Sequence, residues 1–153
     1  MYDHILYPTD GSKGARAALD NCRDLAETYG ATVHVLYVAE NRETHGFAGD
    51  VEVTGTGGSK SEDDEVRARI REYGTALVAE IADQLGDVDT RAAVREGKPH
   101  EVILDYADEH DIDIILVGTH GRTGLSRYLL GSVAERVVRL SNVPVLTVRM
   151  DDA

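Results

Sequence analysis

The sequence predicts an α/β fold: a doubly wound parallel sheet of five strands with helices on both faces. Short apolar or β-branched segments alternate with segments of helical apolar spacing along the whole chain, which is the pattern of a parallel sheet. A chain of 153 residues with 42% hydrophobic residues can bury one core of ordinary size. We therefore expect residues 1–153 to form a single domain.

The five predicted strands cover residues 5–7, 32–38, 90–94, 112–117 and 143–148. A first helix is predicted between a Ser12 cap and Gly30, with Cys22 on its apolar face. Ser61 should cap a long second helix, whose predicted buried stripe is Val66, Ile70, Tyr73, Leu77, Ile81 and Leu85. Pro99 suits the first turn of a third helix, in which the inward-facing residues are Val102, Ile103, Tyr106 and Ala107. The fourth helix covers residues 132–140, and its predicted buried residues are Val133, Val137 and Val138.

Right-handed crossovers between these strands allow the flavodoxin-like strand order 3-2-1-4-5. In that order the sheet reverses direction between strands one and four, which is where ligands of such folds bind. The turn 8–12 follows strand one and the segment 118–132 follows strand four. Because both would flank the same crevice, we expect the binding site there.

Residues 40–60 differ from the rest of the chain, since they contain five glycines and little apolar periodicity. We expect a variable, flexible loop within the domain. A lid over a ligand and a plain flexible insertion both remain open.

The composition excludes several classes of partner. The formal net charge of −12 disfavours nucleic acid and anionic membranes, and no stretch is apolar enough to span a bilayer. The chain begins with a strand pattern rather than a signal peptide, so a cytoplasmic location is expected. Only three of the 16 basic residues are lysines, and such an acidic, lysine-poor surface favours a halophilic source. A lone cysteine, Cys22, forms no intrachain disulfide and is expected to be a buried apolar residue.

A glycine-rich segment between the fourth strand and the fourth helix points to phosphate binding. Its spacing is Gly118-x2-Gly121-x9-Gly131-Ser132, whereas the common Walker and dinucleotide motifs are absent from the sequence. Glycines let backbone N–H groups approach a phosphate, and the helix N-terminus adds partial positive charge. This pattern, with residues 8–12, 117–124, 130–133 and 142–145, resembles the ATP-binding branch of the universal stress protein family.

That resemblance covers the chain except for residues 41–58, and it implies ATP in the cleft between strands one and four. By similarity, the adenine and ribose end is lined by Pro8, Thr9 and Asp10, with Val38 against adenine. Ribose and phosphates would be wrapped by Gly118, His120, Gly121 and Arg122. The phosphate tail would be held by Gly131, Ser132 and Val133. Mg²⁺ would arrive with the nucleotide, held mostly by phosphate oxygens and water, with Asp10 as an indirect contributor.

Each of these residues also has a purely structural interpretation. Asp10 could cap the first helix, and Gly131 with Ser132 could be a plain helix cap. His120 and Arg122 could be solvated loop residues, and Gly121 could serve only the shape of the loop. The six histidines have no spacing typical of a zinc site, so no protein-only metal site is expected.

The last strand predicts a homodimer. The run 143–148, which begins at Val143 and ends at Val148, would be an apolar sheet edge. Such an edge is a liability unless another chain covers it, and pairing with its own copy would give a two-fold dimer.

Three functions follow in order of support. The first is an ATP-binding stress-response or signalling dimer that acts on a protein partner the sequence does not identify. The second is a slow ATPase or nucleotide-dependent transferase, although no clear acid–base pair is evident, so no catalytic residue is assigned. The third is an interaction dimer that binds AMP, a cyclic nucleotide or no nucleotide.

Overall fold

The computed structural model describes residues 1–40, 57–119 and 130–149, with side chains from residue 64 onward in the second range. The strands are β1 (His4–Pro8), β2 (Thr32–Glu40), β3 (Thr90–Gly97), β4 (Ile114–Gly118) and β5 (Val145–Val148). The helices are α1 (Lys13–Ala17), α2 (Leu19–Tyr29), α3 (Gly57–Leu85), α4 (Pro99–Glu109) and α5 (Ser132–Leu140).

The strands form one five-stranded sheet in the order β3-β2-β1-β4-β5, in which every neighbouring pair is parallel. The predicted fold class and strand order are therefore confirmed. Pro8 aligns with Leu36 of β2, and Ile5 aligns with Ile114 of β4. The carboxyl ends of β1 and β4 consequently lie side by side at the reversal point of the sheet.

Two hydrophobic clusters cover the two faces of the sheet. One joins α2 and α3 to side chains such as Ile5, Val33 and Leu116. The other joins α4 and α5 to Leu6, Leu36 and related residues. Alternate residues of β1 and β2 enter opposite clusters because successive side chains of a strand point to opposite faces. Among the described residues, no helix is both long enough and apolar enough to cross a membrane.

The predicted first helix is two helices, α1 and α2, separated at Ala18. The caps are as predicted, with Ser12 before α1 and the left-handed Gly30 after α2. The break coincides with a contact from β1: the carbonyl of Ala15 accepts from the Tyr7 hydroxyl and from the Ala18 N–H. A side chain inserted into the helical ladder in this way tightens and bends the chain.

The second predicted helix starts earlier than expected. It begins at Gly57 rather than after Ser61, since extending a formed helix through glycine costs only about 1 kcal/mol per residue. The predicted loop 40–60 is thus shortened at both ends, because Glu40 completes β2. Residues 41–56 lie outside the described residues.

Only three of the six residues that were predicted to be buried along α3 are buried. Leu77, Ile81 and Leu85 are buried, whereas Val66 is 50% and Tyr73 46% exposed. With its 29 residues, α3 is about 43 Å long, whereas the nine residues of β2 span about 30 Å. The N-terminal part of the helix therefore extends past the core.

Two further expectations at the C-terminal end need correction. Val138 is 44% exposed, and Ala134 lies buried beside Val137 in its place. Residue 138 follows residue 137 by about 100° around the helix, so it lies at the margin of the face that residues 134 and 137 bury. The last strand begins at Val145 rather than Val143, since Pro144 has no N–H to donate to a ladder.

Candidate functional site

The turn after β1 is held by its own polar groups. The Thr9 N–H donates to the Leu36 carbonyl at 2.9 Å, which ties the turn to β2. The Gly11 N–H donates to Thr9 Oγ1 at 3.1 Å, and the Ser12 N–H donates to Asp10 Oδ1 at 2.9 Å. Gly11 has φ 80°, a left-handed conformation that glycine adopts without strain. The backbone of this turn is thus built before any ligand arrives.

The geometry of this turn separates Asp10 from the helix cap. Ser12 caps α1, because the Ala15 N–H donates to Ser12 Oγ at 3.2 Å. Asp10 instead uses a carboxylate oxygen to hold the turn itself, and its side chain is half-buried. The interpretation of Asp10 as the cap of the first helix is therefore wrong.

The backbone at the end of β4 lies in direct contact with the backbone of the first turn of α1. A Cβ built on Gly118 would overlap the carbonyl of Gly14 and lie 3.0 Å from the Ala15 nitrogen. Only glycine at position 118 allows this approach of two backbones. The turn after β1, which leads into α1, and the end of β4 are thereby brought to the same place.

Backbone hydrogen bonds join the residue after β4 to the start of α5 and to the end of β5. The Gly131 N–H donates to the Thr119 carbonyl at 2.7 Å, and the Thr119 N–H donates to the Val148 carbonyl at 3.0 Å. Thr119 is 5% exposed. The start of α5 is therefore fixed directly against the carboxyl ends of β4 and β5.

No side chain among the described residues caps the first turn of α5. Gly131 is the N-cap and has no side chain to accept from them, and Ser132 is the first helical residue and is exposed. The first N–H groups of a helix have no partner within the helix and carry partial positive charge. Gly131 is therefore the N-cap, as the plain-cap interpretation of Gly131 with Ser132 has it, and the same turn is suited to an anion.

The structure brings together most of the predicted site residues. Those at the carboxyl ends of β1 and β4 or the start of α5 are Pro8, Thr9, Asp10, Gly118, Gly131, Ser132 and Val133. Val38, near the end of β2, is half-buried against the cluster on the α4 and α5 face. The remaining three, His120, Gly121 and Arg122, lie outside the described residues.

Sequence reasoning missed three residues that shape the crevice, namely Tyr7, Gly14 and Thr119. Tyr7 is fully buried, and its hydroxyl donates to the Ala15 carbonyl. Burial raises the pKa of that hydroxyl, so it stays protonated and remains a donor. A tyrosine within an apolar strand is the only signal that the sequence offered for this anchor.

The described residues include a positive charge beside the turn after β1 and one buried cysteine. Arg16, which is exposed, places Nε 3.5 Å from the Gly11 carbonyl, so a cation lies beside the turn. Cys22 is fully buried, as predicted, and burial raises the pKa of its thiol to about 12. At neutral pH this cysteine is therefore a thiol rather than a nucleophilic thiolate. Among the described side chains, no three metal-ligating groups converge.

A second polar cluster lies at the opposite edge of the sheet. His4 Nδ1 is 3.1 Å from His34 Nε2, and His34 Nδ1 is 2.7 Å from the Tyr106 hydroxyl. The His110 ring stacks on Tyr106 at a centroid distance of 3.9 Å. We call these four residues the histidine cluster.

His34 is 1% exposed, and both of its ring nitrogens are paired within the histidine cluster. Burial, and after it the charges of His4, Arg91 and His110, lower the pKa of His34 to about 4, against a smaller opposing effect of Asp89. The buried His34 therefore has both of its ring nitrogens satisfied within the histidine cluster.

The whole chain is similar to known proteins. The model of the universal stress protein family matches residues 1–149. The universal stress protein MJ0577 of Methanocaldococcus jannaschii is 36% identical, over 97% of this chain and 96% of its own length. The universal stress protein YxiE of Bacillus subtilis is 30% identical, over 97% of this chain and 100% of its own length.

Solved structures agree with this comparison. The structure of MJ0577 has a TM-score of 0.83 and 32% identity, and it covers 100% of this chain and 99% of that chain. Two more distant structures share the fold: a universal stress protein in complex with cAMP (TM-score 0.66, 22% identity, 98% of each chain), and an Arabidopsis thaliana family member with AMP bound (TM-score 0.67, 16% identity, 98% of this chain and 93% of that one). With its sheet order, its two approaching loops and a match along almost its entire length, the chain belongs to the universal stress protein family.

Proposed function

We propose that this chain binds ATP in the crevice between the carboxyl ends of β1 and β4. In this proposal it acts in the cytoplasm as a nucleotide-dependent dimeric stress-response or signalling module. The observation that carries the proposal is the contact of Gly118 with Gly14, near the first turn of α5. This contact brings a prebuilt polar turn and an anion-suited helix start to one crevice.

Within this crevice the two ends of a nucleotide would meet different chemistry. The half-buried Pro8 and Val38 offer apolar surface for a purine, and Asp10 offers carboxylate oxygens to ribose or amino groups. Backbone donors at Gly131, Ser132 and Val133 suit the phosphates. His120, Gly121 and Arg122 would complete the phosphate end by family resemblance.

The relatives support an adenine nucleotide but leave the number of phosphates to experiment. Structures of two proteins with this fold hold cAMP and AMP. The long glycine-rich segment and the N-terminus of α5 favour a ligand with a phosphate tail, hence ATP. Mg²⁺ would enter with the triphosphate and keep most of its waters, since no convergent ligand set occurs among the described side chains.

Dimerisation through the β5 edge is the second part of the proposal. β5 is the terminal strand of the sheet, and it carries Leu146 at 39% exposure. The adjacent α5 adds Val138 at 44% and Leu140 at 48% exposure. An apolar edge of this kind is stabilised by pairing with a second copy.

The nucleotide proposal is tested by identifying what the protein carries and what it binds. Mass spectrometry of molecules released from the purified, denatured protein should find ATP, and calorimetry of the emptied protein should show binding of ATP with Mg²⁺. Ser132→Ala and Asp10→Ala should weaken that binding, whereas the exposed controls Thr28→Ala and Asp24→Ala should not. Recovery of ADP would favour the ATPase, and preferential binding of AMP or cAMP would replace ATP as the ligand. A protein that binds none of these would refute the proposal.

The dimer is tested separately by light scattering on a sizing column. Leu146→Glu should convert a dimer to a monomer, because a charge would be buried at the paired edge. Val66→Glu, a change at an equally apolar and 50% exposed position on α3, is the control and should leave the mass unchanged. A wild-type monomer at micromolar concentration would overturn this part alone.

A further inference from the structure

Tyr73 of α3 lies on the turn after β1 although it belongs to a different part of the chain. A Cβ built on Gly11 would overlap the Tyr73 hydroxyl and would lie 3.4 Å from Leu77 Cδ2. The α-carbon of Gly11 thus faces two side chains of α3, and Tyr73 is nearer. The absence of a side chain at position 11 is what admits the tyrosine.

The same ring also reaches β2. Tyr73 and Tyr37 meet edge to face, with centroids 5.7 Å apart and an interplanar angle of 70°. Tyr37 is 5% exposed, and a Cβ on Gly74 would overlap its ring, so α3 lies directly against β2 at this level. Tyr37 immediately precedes Val38. Tyr73 therefore contacts both segments that would line the adenine and ribose end of the crevice.

This placement explains why Tyr73 is not the core residue that its helical spacing predicts. It is 46% exposed, yet its ring rests on Tyr37 and its hydroxyl rests on the Gly11 turn. Edge-to-face aromatic pairs add stability beyond their buried area. The tyrosine is thus anchored at the ring, and its polar end is left at the mouth of the crevice.

We infer that Tyr73 is a positioning residue that holds the turn 8–12 and the end of β2 in the arrangement that receives the adenosine part of the nucleotide. This inference rests on the proposed function. Tyr73 acts through Gly11 and Tyr37 and is not assigned a contact with the phosphates, which lie at the α5 end of the crevice. Its loss should therefore affect the two ends of the ligand unequally.

The deciding experiment compares ATP with inorganic tripolyphosphate, a probe that has the phosphates but no adenosine, at equal Mg²⁺. Tyr73→Ala should lower ATP affinity about tenfold, the factor for leaving one turn residue unrestricted before binding. Tripolyphosphate affinity should stay within twofold of wild type. Tyr73→Phe, which keeps the ring, should fall between the two proteins. Tyr29→Ala, at another exposed tyrosine, 43% exposed on α2, is the control and should leave both affinities unchanged.

A double-mutant cycle tests the contact itself. Gly11→Ala adds a Cβ against the Tyr73 hydroxyl and also strains a residue with positive φ. Removing the tyrosine relieves the overlap but not the strain, so Gly11→Ala should cost less ATP affinity in the Tyr73→Ala background than in wild type. Equal costs in the two backgrounds would show that the two residues do not act together.

A ligand-free measurement separates this inference from the proposed function. Hydrogen exchange of the peptide containing Gly11 and Ser12, whose N–H groups bond Thr9 and Asp10, should be faster in Tyr73→Ala. Unchanged exchange, or equal losses of ATP and tripolyphosphate affinity, would overturn the inference while wild-type binding left the proposed function intact. A wild-type protein that binds no ATP would overturn the proposed function, and with it the nucleotide role of Tyr73.

Discussion

The side of the sheet at the amino ends of the strands (the amino edge) and the side at their carboxyl ends (the carboxyl edge) arrange their polar groups in opposite ways. At the amino edge, side chains close on one another: the histidine cluster pairs both ring nitrogens of His34, and Asp113 Oδ2 accepts from the N–H groups of Asp3 and His4 at 2.8 and 2.9 Å. At the carboxyl edge, backbones approach without side chains at Gly118, and no described side chain caps the first turn of α5. Closed polar groups stabilise the fold, whereas open ones are available to a ligand.

This difference predicts that substitutions at the two edges separate stability from ligand binding. Changes in the histidine cluster should lower the free energy of unfolding and leave nucleotide affinity unchanged. Changes at the carboxyl edge should affect affinity as well.

The largest expected effect is the loss of stability in acid caused by His34. Its pKa in the folded protein is about 4 against an ordinary 6.5, so the unfolded chain binds this proton more strongly than the folded protein does. The contribution of His34 to the free energy of unfolding is therefore fully present above pH 6.5. It is lost as the pH drops toward 4, by about 3 kcal/mol in total.

Urea unfolding at a series of pH values measures this loss. His34→Gln should flatten the slope between pH 6.5 and 4 by about one proton. His100→Gln, outside the cluster, is the control. An unchanged slope in His34→Gln would assign the acid sensitivity to other groups.

The second-largest effect is expected from a substitution at the carboxyl edge. Gly118→Ala should destabilise the protein by about 2 kcal/mol, since the new Cβ overlaps a backbone carbonyl that moves only with α1. ATP affinity should fall with it, because the two loops separate. Gly86→Ala is the control: it has φ 63° but nothing near its Cβ, so it should cost about 1 kcal/mol and leave ATP affinity unchanged. Equal stability losses in the two variants would contradict the close approach.

Tyr106→Phe tests whether a change at the amino edge lowers stability without lowering ATP affinity. It removes the hydroxyl that lies 2.7 Å from His34 Nδ1 and leaves a buried nitrogen unpaired, at a cost of about 1.5 kcal/mol at neutral pH. ATP affinity should be unchanged. Tyr29→Phe, at an exposed tyrosine, should alter neither quantity, and a loss of affinity in Tyr106→Phe would mean that the two edges are coupled.

The smallest effect is expected from Ser12→Ala. Loss of the cap bond to the Ala15 N–H should cost about 1 kcal/mol in urea unfolding. Thr28→Ala, an exposed change on α2, should stay within about 0.5 kcal/mol. If the two variants were equally stable, the cap would contribute nothing to the folded state.

Local pattern was sufficient for much of the fold. Alternating strand and helix segments predicted the sheet order, and Ser12 and Gly30 marked helix ends correctly because capping depends on neighbours in the chain. The bounds of α5 were also predicted as found. At the candidate site, the strand order predicted that the carboxyl ends of β1 and β4 would lie together.

The sequence by itself therefore determined the α/β class, the strand order and the two loops that form the crevice. Tertiary structure alone decided the break at Ala18, the exposure of Tyr73 and the closure of the histidine cluster. Each of these depends on residues far apart in the chain, such as His34 and Tyr106, which are 72 positions apart. Periodicity reports which face of an element is apolar, but it does not report which distant side chain will lie against that face, because that is set by how the elements pack.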